Sequence, residues 1–241
     1  MKKLLILSAL LFFGISTAQD LEGSWTLIEV NGDAVTNQET VRIYQDGYFA
    51  YGKKKTSTNE FIEAGGGEYE TKNGYSERYD FNTADNSMVG KRLTYEIKED
   101  DSSFTLTTTE GKTQTWKRIS SSKNDLSGNW VITGRQRNGE LNRSTPGDRR
   151  TIKILSGDRF QWVAFNSKTK EFSGTGGGTY TAQDGKYTEN IEFFSRDDSR
   201  VGASLDFDYK VEDGEWHHSG KSSKGEPIYE IWSPYAEAYK K

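Results

Sequence analysis

Apolar side chains recur at every second position along much of the chain. Leu205-Asp206-Phe207-Asp208-Tyr209-Lys210-Val211 is one run, and Leu93-Thr94-Tyr95-Glu96-Ile97 is another. The same alternation holds in Tyr75-Ser76-Glu77-Arg78-Tyr79-Asp80-Phe81, in Tyr187-Thr188-Glu189-Asn190-Ile191-Glu192-Phe193 and in Phe160-Gln161-Trp162-Val163-Ala164. Successive side chains of a strand point to opposite faces, so a period of two describes a sheet with one wet and one dry face. Turn dipeptides punctuate the runs: Asn31-Gly32, Asp46-Gly47, Asn73-Gly74, Asp184-Gly185 and Asp213-Gly214. Helical periodicity is nearly absent. Many short strands at regular spacing predict a sandwich or a barrel.

The pattern occurs twice. Residues 61–69 read FIEAGGGEY and residues 172–180 read FSGTGGGTY. Leu21-Glu22-Gly23-Ser24-Trp25 lies over Leu126-Ser127-Gly128-Asn129-Trp130, Phe49 over Phe160, and Tyr75 and Glu77 over Tyr187 and Glu189. Val89-Gly90 matches Val201-Gly202, Tyr95 matches Phe207 and Phe104 matches Trp216; the last strands align ambiguously. A fixed order kept over half a chain is a duplication. The short turns suit a meander, so the fold class is all-β: two tandem antiparallel up-and-down β-barrels of about eight strands each, at 19–121 and 126–235, with a tail at 236–241. Gly65-Gly66-Gly67 and Gly176-Gly177-Gly178 lie inside strand-like runs, where glycine marks a bulge or a sharp bend. The other reading, a phosphate-cradling loop, requires a helix after the glycines, and no helical pattern follows.

Each copy opens on Gly-x-Trp, at Gly23-Ser24-Trp25 and at Gly128-Asn129-Trp130. Leu-x-Gly-x-Trp at the head of a set of alternating strands resembles the lipocalin-like (calycin) domains of secreted bacterial proteins, many of them without an assigned function. The resemblance implies a barrel that takes a small ligand in its mouth. It also implies a tryptophan packed across the closed end beneath an arginine of the last strand. Arg118 is that arginine in the first copy. The second copy departs from the pattern, because its last strand, Ile228 to Trp232, contains no arginine.

Composition refines the picture. Lys2 and Lys3, the apolar run Leu4 to Ile15 and the small residues Ser16-Thr17-Ala18 read as a signal peptide over residues 1–18. The run is too short for a membrane span. The mature protein is expected in the periplasm or outside the cell, soluble. The chain has no cysteine, which excludes disulfides, thiolate metal sites and a lipoprotein anchor. A net charge of −4 with interspersed signs and no basic stripe argues against nucleic acid as a partner. Thirteen tyrosines, twelve phenylalanines and six tryptophans supply the core that aliphatics usually supply.

Candidate chemistry follows from the faces. Tyr187, Glu189, Ile191 and Phe193 share one face, and its apolar character points it inward. Glu189 then stands in an aromatic lining, as Glu77 does beside Tyr75, Tyr79 and Phe81. A buried carboxylate needs a partner or a proton, so it is either a structural anchor or a ligand contact. The two histidines are adjacent, and alternation turns His218 inward and His217 outward. His218, Glu189 and Tyr180 are placed around one pocket, lined further by Tyr187, Phe193, Phe207, Trp216 and Trp162. Glu189 and His218 are the candidates for acid–base chemistry; a satisfied core histidine is the plainer alternative. Two ligands do not make a metal site, so no metal is expected, and no cofactor motif occurs. The loop Arg196-Asp197-Asp198-Ser199-Arg200 has no arginines in the first copy; it is either a ligand-reading rim or a self-paired solvated loop. The resulting expectation is a secreted protein that binds a small, partly apolar or ring-containing molecule, mainly in the second copy. An enzyme using Glu189 and His218, and a non-catalytic envelope interaction protein, are the alternatives.

Overall fold

The computed structural model describes residues 21–222 and 225–239; the expected signal peptide lies outside them. The first copy contains β1 (Gly23–Val30), β2 (Asp33–Ala34), β3 (Gln38–Gln45), β4 (Tyr48–Lys55), β5 (Phe61–Glu70), β6 (Tyr75–Asn82), β7 (Arg92–Glu99), β8 (Ser103–Thr107) and β9 (Thr113–Ser120). The second contains β10 (Gly128–Arg137), β11 (Glu140–Arg143), β12 (Arg149–Ser156), β13 (Arg159–Asn166), β14 (Glu171–Gln183), β15 (Lys186–Phe194), β16 (Ser204–Glu212), β17 (Glu215–Lys221) and β18 (Pro227–Pro234). Neighbouring strands pair antiparallel in sequence order, and β1–β9 and β10–β18 close the two circles. Each copy is therefore a closed eight-stranded up-and-down barrel. The short β2 and β11 are extra hairpin strands added to β1 and β10.

Registers identify equivalent positions, including those of the ambiguous last strand. Trp116 pairs with Phe104 as Trp232 pairs with Trp216, and Gln114 pairs with Leu106 as Glu230 pairs with His218. The triple glycines do mark bulges. Gly66 faces Phe81 while Gly67 faces Tyr79, which leaves Asp80 as the extra residue of β6. Gly177 faces Phe193 while Gly178 faces Ile191, which leaves Glu192 as the extra residue of β15. A Cβ on Gly67 would lie 1.9 Å from the carbonyl oxygen of Arg78, and one on Gly178 would lie 2.0 Å from that of Asn190. The strands approach this closely only because no side chain intervenes.

Each bulge inverts the faces beyond it. The expectation that Phe193 and Phe81 point inward is thereby corrected, because one added residue shifts the alternation. Phe81 joins Ile43, Tyr48, Ala50 and Ala64 of the first barrel, and Val131, Ile152, Ile154, Val163, Phe165 and Tyr235 of the second, in one buried cluster on the outer faces. Phe193 stacks on Phe61 with ring centroids 6.3 Å apart, and its ring occupies the space a Cβ on Gly52 would need. The barrels thus meet along an apolar seam. Ser156 donates to Gln45 across it at 2.6 Å, and the backbone N–H of Asn129 donates to Asp46 at 3.0 Å. Ser24 and Asp158 meet at 3.3 Å. The tail begins with one helical turn, α1 (Tyr235–Ala238), and Tyr235 and Tyr239 pack against the seam.

Candidate functional site

At the middle of each barrel a basic side chain and a carboxylate form a buried ion pair. In the first, Arg42 Nη1 lies 2.8 Å from Glu77 Oε1. Tyr75 donates to the same oxygen at 2.6 Å, and Tyr79 donates to Glu77 Oε2 at 3.1 Å. The guanidinium lies against the Phe49 and Trp116 rings at 4.8 and 4.7 Å. Both carboxylate oxygens are met, as burial of an ion pair requires, while Arg42 Nε is buried without a hydrogen-bond partner. In the second barrel Lys153 Nζ lies 2.6 Å from Glu189 Oε1, which also accepts from Tyr187 Oη at 2.8 Å. Burial, reinforced by Glu189, raises the Tyr187 pKa well above its ordinary value, so this phenol stays a donor. The Tyr187, Trp216 and Trp232 rings stand 5.2–5.3 Å from the ammonium.

Above these pairs the copies diverge. The interior of the first barrel holds a cavity of about 90 Å³, crowded by Tyr51, Tyr79, Tyr95 and Trp116. The second holds one of about 550 Å³. Equivalent positions explain the difference. Ile191 replaces Tyr79 and Ala164 replaces Lys53, so a ring and a long side chain are lost. Trp162, Ile191, Phe194, Leu205, Phe207 and Trp232 form the apolar wall. Polar groups intrude at defined places: Lys153, Glu189, His218 and Glu230 within, and Arg135, Arg196 and Arg200 further round the lining. The first copy has Leu106 where His218 stands, Gln114 for Glu230 and Val30 for Arg135.

Glu230 organises the added polar corner. Arg135 Nη2 donates to its Oε1 at 2.5 Å and Trp232 Nε1 to its Oε2 at 3.2 Å. His218 Nδ1 lies 3.4 Å from Oε2. Burial alone would push this carboxyl up. The hydrogen bond from His218 and the nearby charge of Arg135 prevail and hold its pKa at about 2. Burial lowers the pKa of His218 against the pull of Glu230. Arg196 donates through its guanidinium to the Ser173 carbonyl, and Arg200 lies 3.6 Å from Asp197.

Of the residues expected to share a pocket, Trp162, Glu189, Phe207 and His218 do line the cavity. Tyr187 and Trp216 are fully buried beneath it, where they carry the ion pair. Tyr180 does not line the cavity and accepts a hydrogen bond from Asn124 Nδ2 at 2.9 Å. Phe193 is in the seam, and its neighbour Phe194 takes the inner position. Glu189 and His218 are not hydrogen-bonded to each other; the first pairs with Lys153 and the second with Glu230. Lys153, Glu230 and Arg135 join the lining without a signal in the alternation. Lys153 sits between Ile152 and Ile154 as Arg42 sits between Val41 and Ile43, and those apolar flanks face outward. Arg118 is placed over Trp25 with its Cζ 3.9 Å from the ring centroid, and Pro234 holds the equivalent position in the second barrel.

Among the described residues no three His, Asp or Glu side chains converge as a metal site. No helix among them is long and apolar enough to cross a membrane. No protein-family model matches the chain, and no curated protein is similar enough to match it.

Proposed function

We propose that the chain is a small-molecule binding protein whose ligand site is the interior of the second barrel, with the first barrel as its scaffold. One contrast carries the reading: equivalent interiors enclose about 550 Å³ in the second copy and about 90 Å³ in the first. Ligand pockets of this class span roughly 300–1,000 Å³ and combine apolar walls with a few placed polar groups. The aromatic wall suits a partly apolar or ring-containing body, and the Lys153, Glu189, His218 and Glu230 corner suits a polar substituent. The resemblance to lipocalin-like domains supports the same use of a barrel mouth. The signal-peptide reading of residues 1–18 puts this binding outside the cytoplasm.

Native mass spectrometry of protein isolated from its own source tests the proposal, together with thermal unfolding against a panel of fatty acids, naphthalene derivatives and sugars. A retained adduct is expected, or a rise in melting temperature with an apolar-bodied member of the panel. A bare polypeptide mass together with no shift from any member at millimolar concentration refutes it.

A further inference from the structure

Two side chains that line the second cavity, Glu189 and His218, each carry a hydrogen-bond acceptor without a donor from the described residues. The first acceptor is Glu189 Oε2. Lys153 and Tyr187 both serve Oε1. In the first barrel the matching oxygen, Glu77 Oε2, takes the hydroxyl of Tyr79. The register places Ile191 where Tyr79 stands, so the second barrel has exchanged that phenol for an aliphatic side chain. The exchange removes a donor and a ring from one place at once.

The second acceptor is His218 Nε2. It is buried and has no hydrogen-bond partner. Glu230, engaged by Arg135 and Trp232, is a carboxylate and can only accept. The proton of the neutral imidazole therefore belongs on Nδ1, facing Glu230, and Nε2 presents a lone pair. A buried acceptor with no donor is costly in a folded protein, and a ligand that supplies the donor recovers that cost.

We infer that the second barrel selects a ligand carrying a hydroxyl on a ring, such as a phenol or an alicyclic alcohol. The ligand ring takes the room that Tyr79 fills in the first barrel, and its O–H is donated to Glu189 Oε2 or His218 Nε2. A second hydroxyl on the ligand engages the other acceptor. This inference rests on the ligand-site reading above and adds the chemical class. The first barrel is its internal precedent: there the protein's own phenol makes the contact.

The test is titration of the full chain with 2-naphthol, with 2-methoxynaphthalene and with naphthalene, followed by calorimetry. The three share one ring body, and only the first has an O–H. 2-Naphthol is expected to bind at least about tenfold more tightly than either, the usual scale for a hydrogen bond to a charged or buried acceptor. Glu189→Gln and His218→Leu, the latter carrying the first barrel's own residue, are expected together to bring the ratio below about twofold. Circular dichroism shows whether the double variant folds. Equal affinity of the three probes for the wild-type chain overturns the inference and leaves the ligand site standing. A preference that survives in the folded double variant overturns the assignment of the acceptors. No binding of any probe counts against the ligand site itself, and the inference falls with it.

Discussion

Replacing Ile191 with the residue its counterpart uses, Ile191→Tyr, should stabilise the protein. Most large-for-small changes in a core are destabilising by about 1–3 kcal/mol because they force side chains off their rotamers. Here the added ring enters a cavity of about 550 Å³ from a position already 5% exposed. Its hydroxyl is positioned as Tyr79's is, 3.1 Å from the equivalent carboxylate oxygen. A hydrogen bond to a charged acceptor contributes about 1.5–3 kcal/mol. Burial of roughly 40 Å² more ring surface adds about 1 kcal/mol, and ordering the side chain takes back a comparable amount. The net gain is about 2 kcal/mol, which for a chain of this size raises the melting temperature by about 4–8 °C. Differential scanning calorimetry measures it, with Ile191→Phe as the control that supplies the ring alone. The tyrosine variant should exceed the phenylalanine variant by about 1.5 kcal/mol or more. If the two melt together, Glu189 Oε2 does not accept the added hydroxyl. If both melt below the parent, the cavity does not offer the room that Tyr79 occupies.

Two further outcomes follow from the bulge and from Glu230. Gly67→Ala puts a methyl group 1.9 Å from the Arg78 carbonyl oxygen, so it should lower the urea midpoint by the equivalent of about 3 kcal/mol; a neutral result refutes the close strand approach at this bulge. The Glu230 carboxyl falls from 4.5 to about 2 on folding. A depressed carboxyl stabilises the fold fully above its unfolded value, so about 3 kcal/mol should be lost as the pH drops from 4.5 through 2. Acid titration of stability should lose that component in Glu230→Gln; identical acid profiles contradict the assignment.

Alternation alone exposes the architecture, because nearly every strand has one dry face, and the duplication doubles the signal. It also brings Glu189, His218, Phe207 and Trp162 to one interior. Two physical circumstances hide the rest. A bulge is one residue of slippage, so Phe81 and Phe193 read as inward until the pairing opposite the glycines is known. Strands β3 and β12 are dry on both faces, since the seam covers the outside. Arg42 and Lys153, flanked by aliphatics, then look solvent-facing although they are the buried bases of each core. Glu230 lies on the strand whose register the repeat comparison leaves open, and its partners become visible only through the β17–β18 pairing.

The seam joins like to like. Gln45 and Ser156, which meet across it, occupy the same place in the two copies, as do Ser24 and Asn129, each of which reaches the opposite barrel's hairpin turn. A contact in which a residue meets its own counterpart is the mark of a twofold axis. The arrangement is that of a symmetric homodimer whose subunits now share one polypeptide. A single-barrel ancestor with this surface would have carried two identical interiors, bound to change together with every mutation. Two copies in one polypeptide are free of that identity, so one interior can fill with tyrosines while the other stays open.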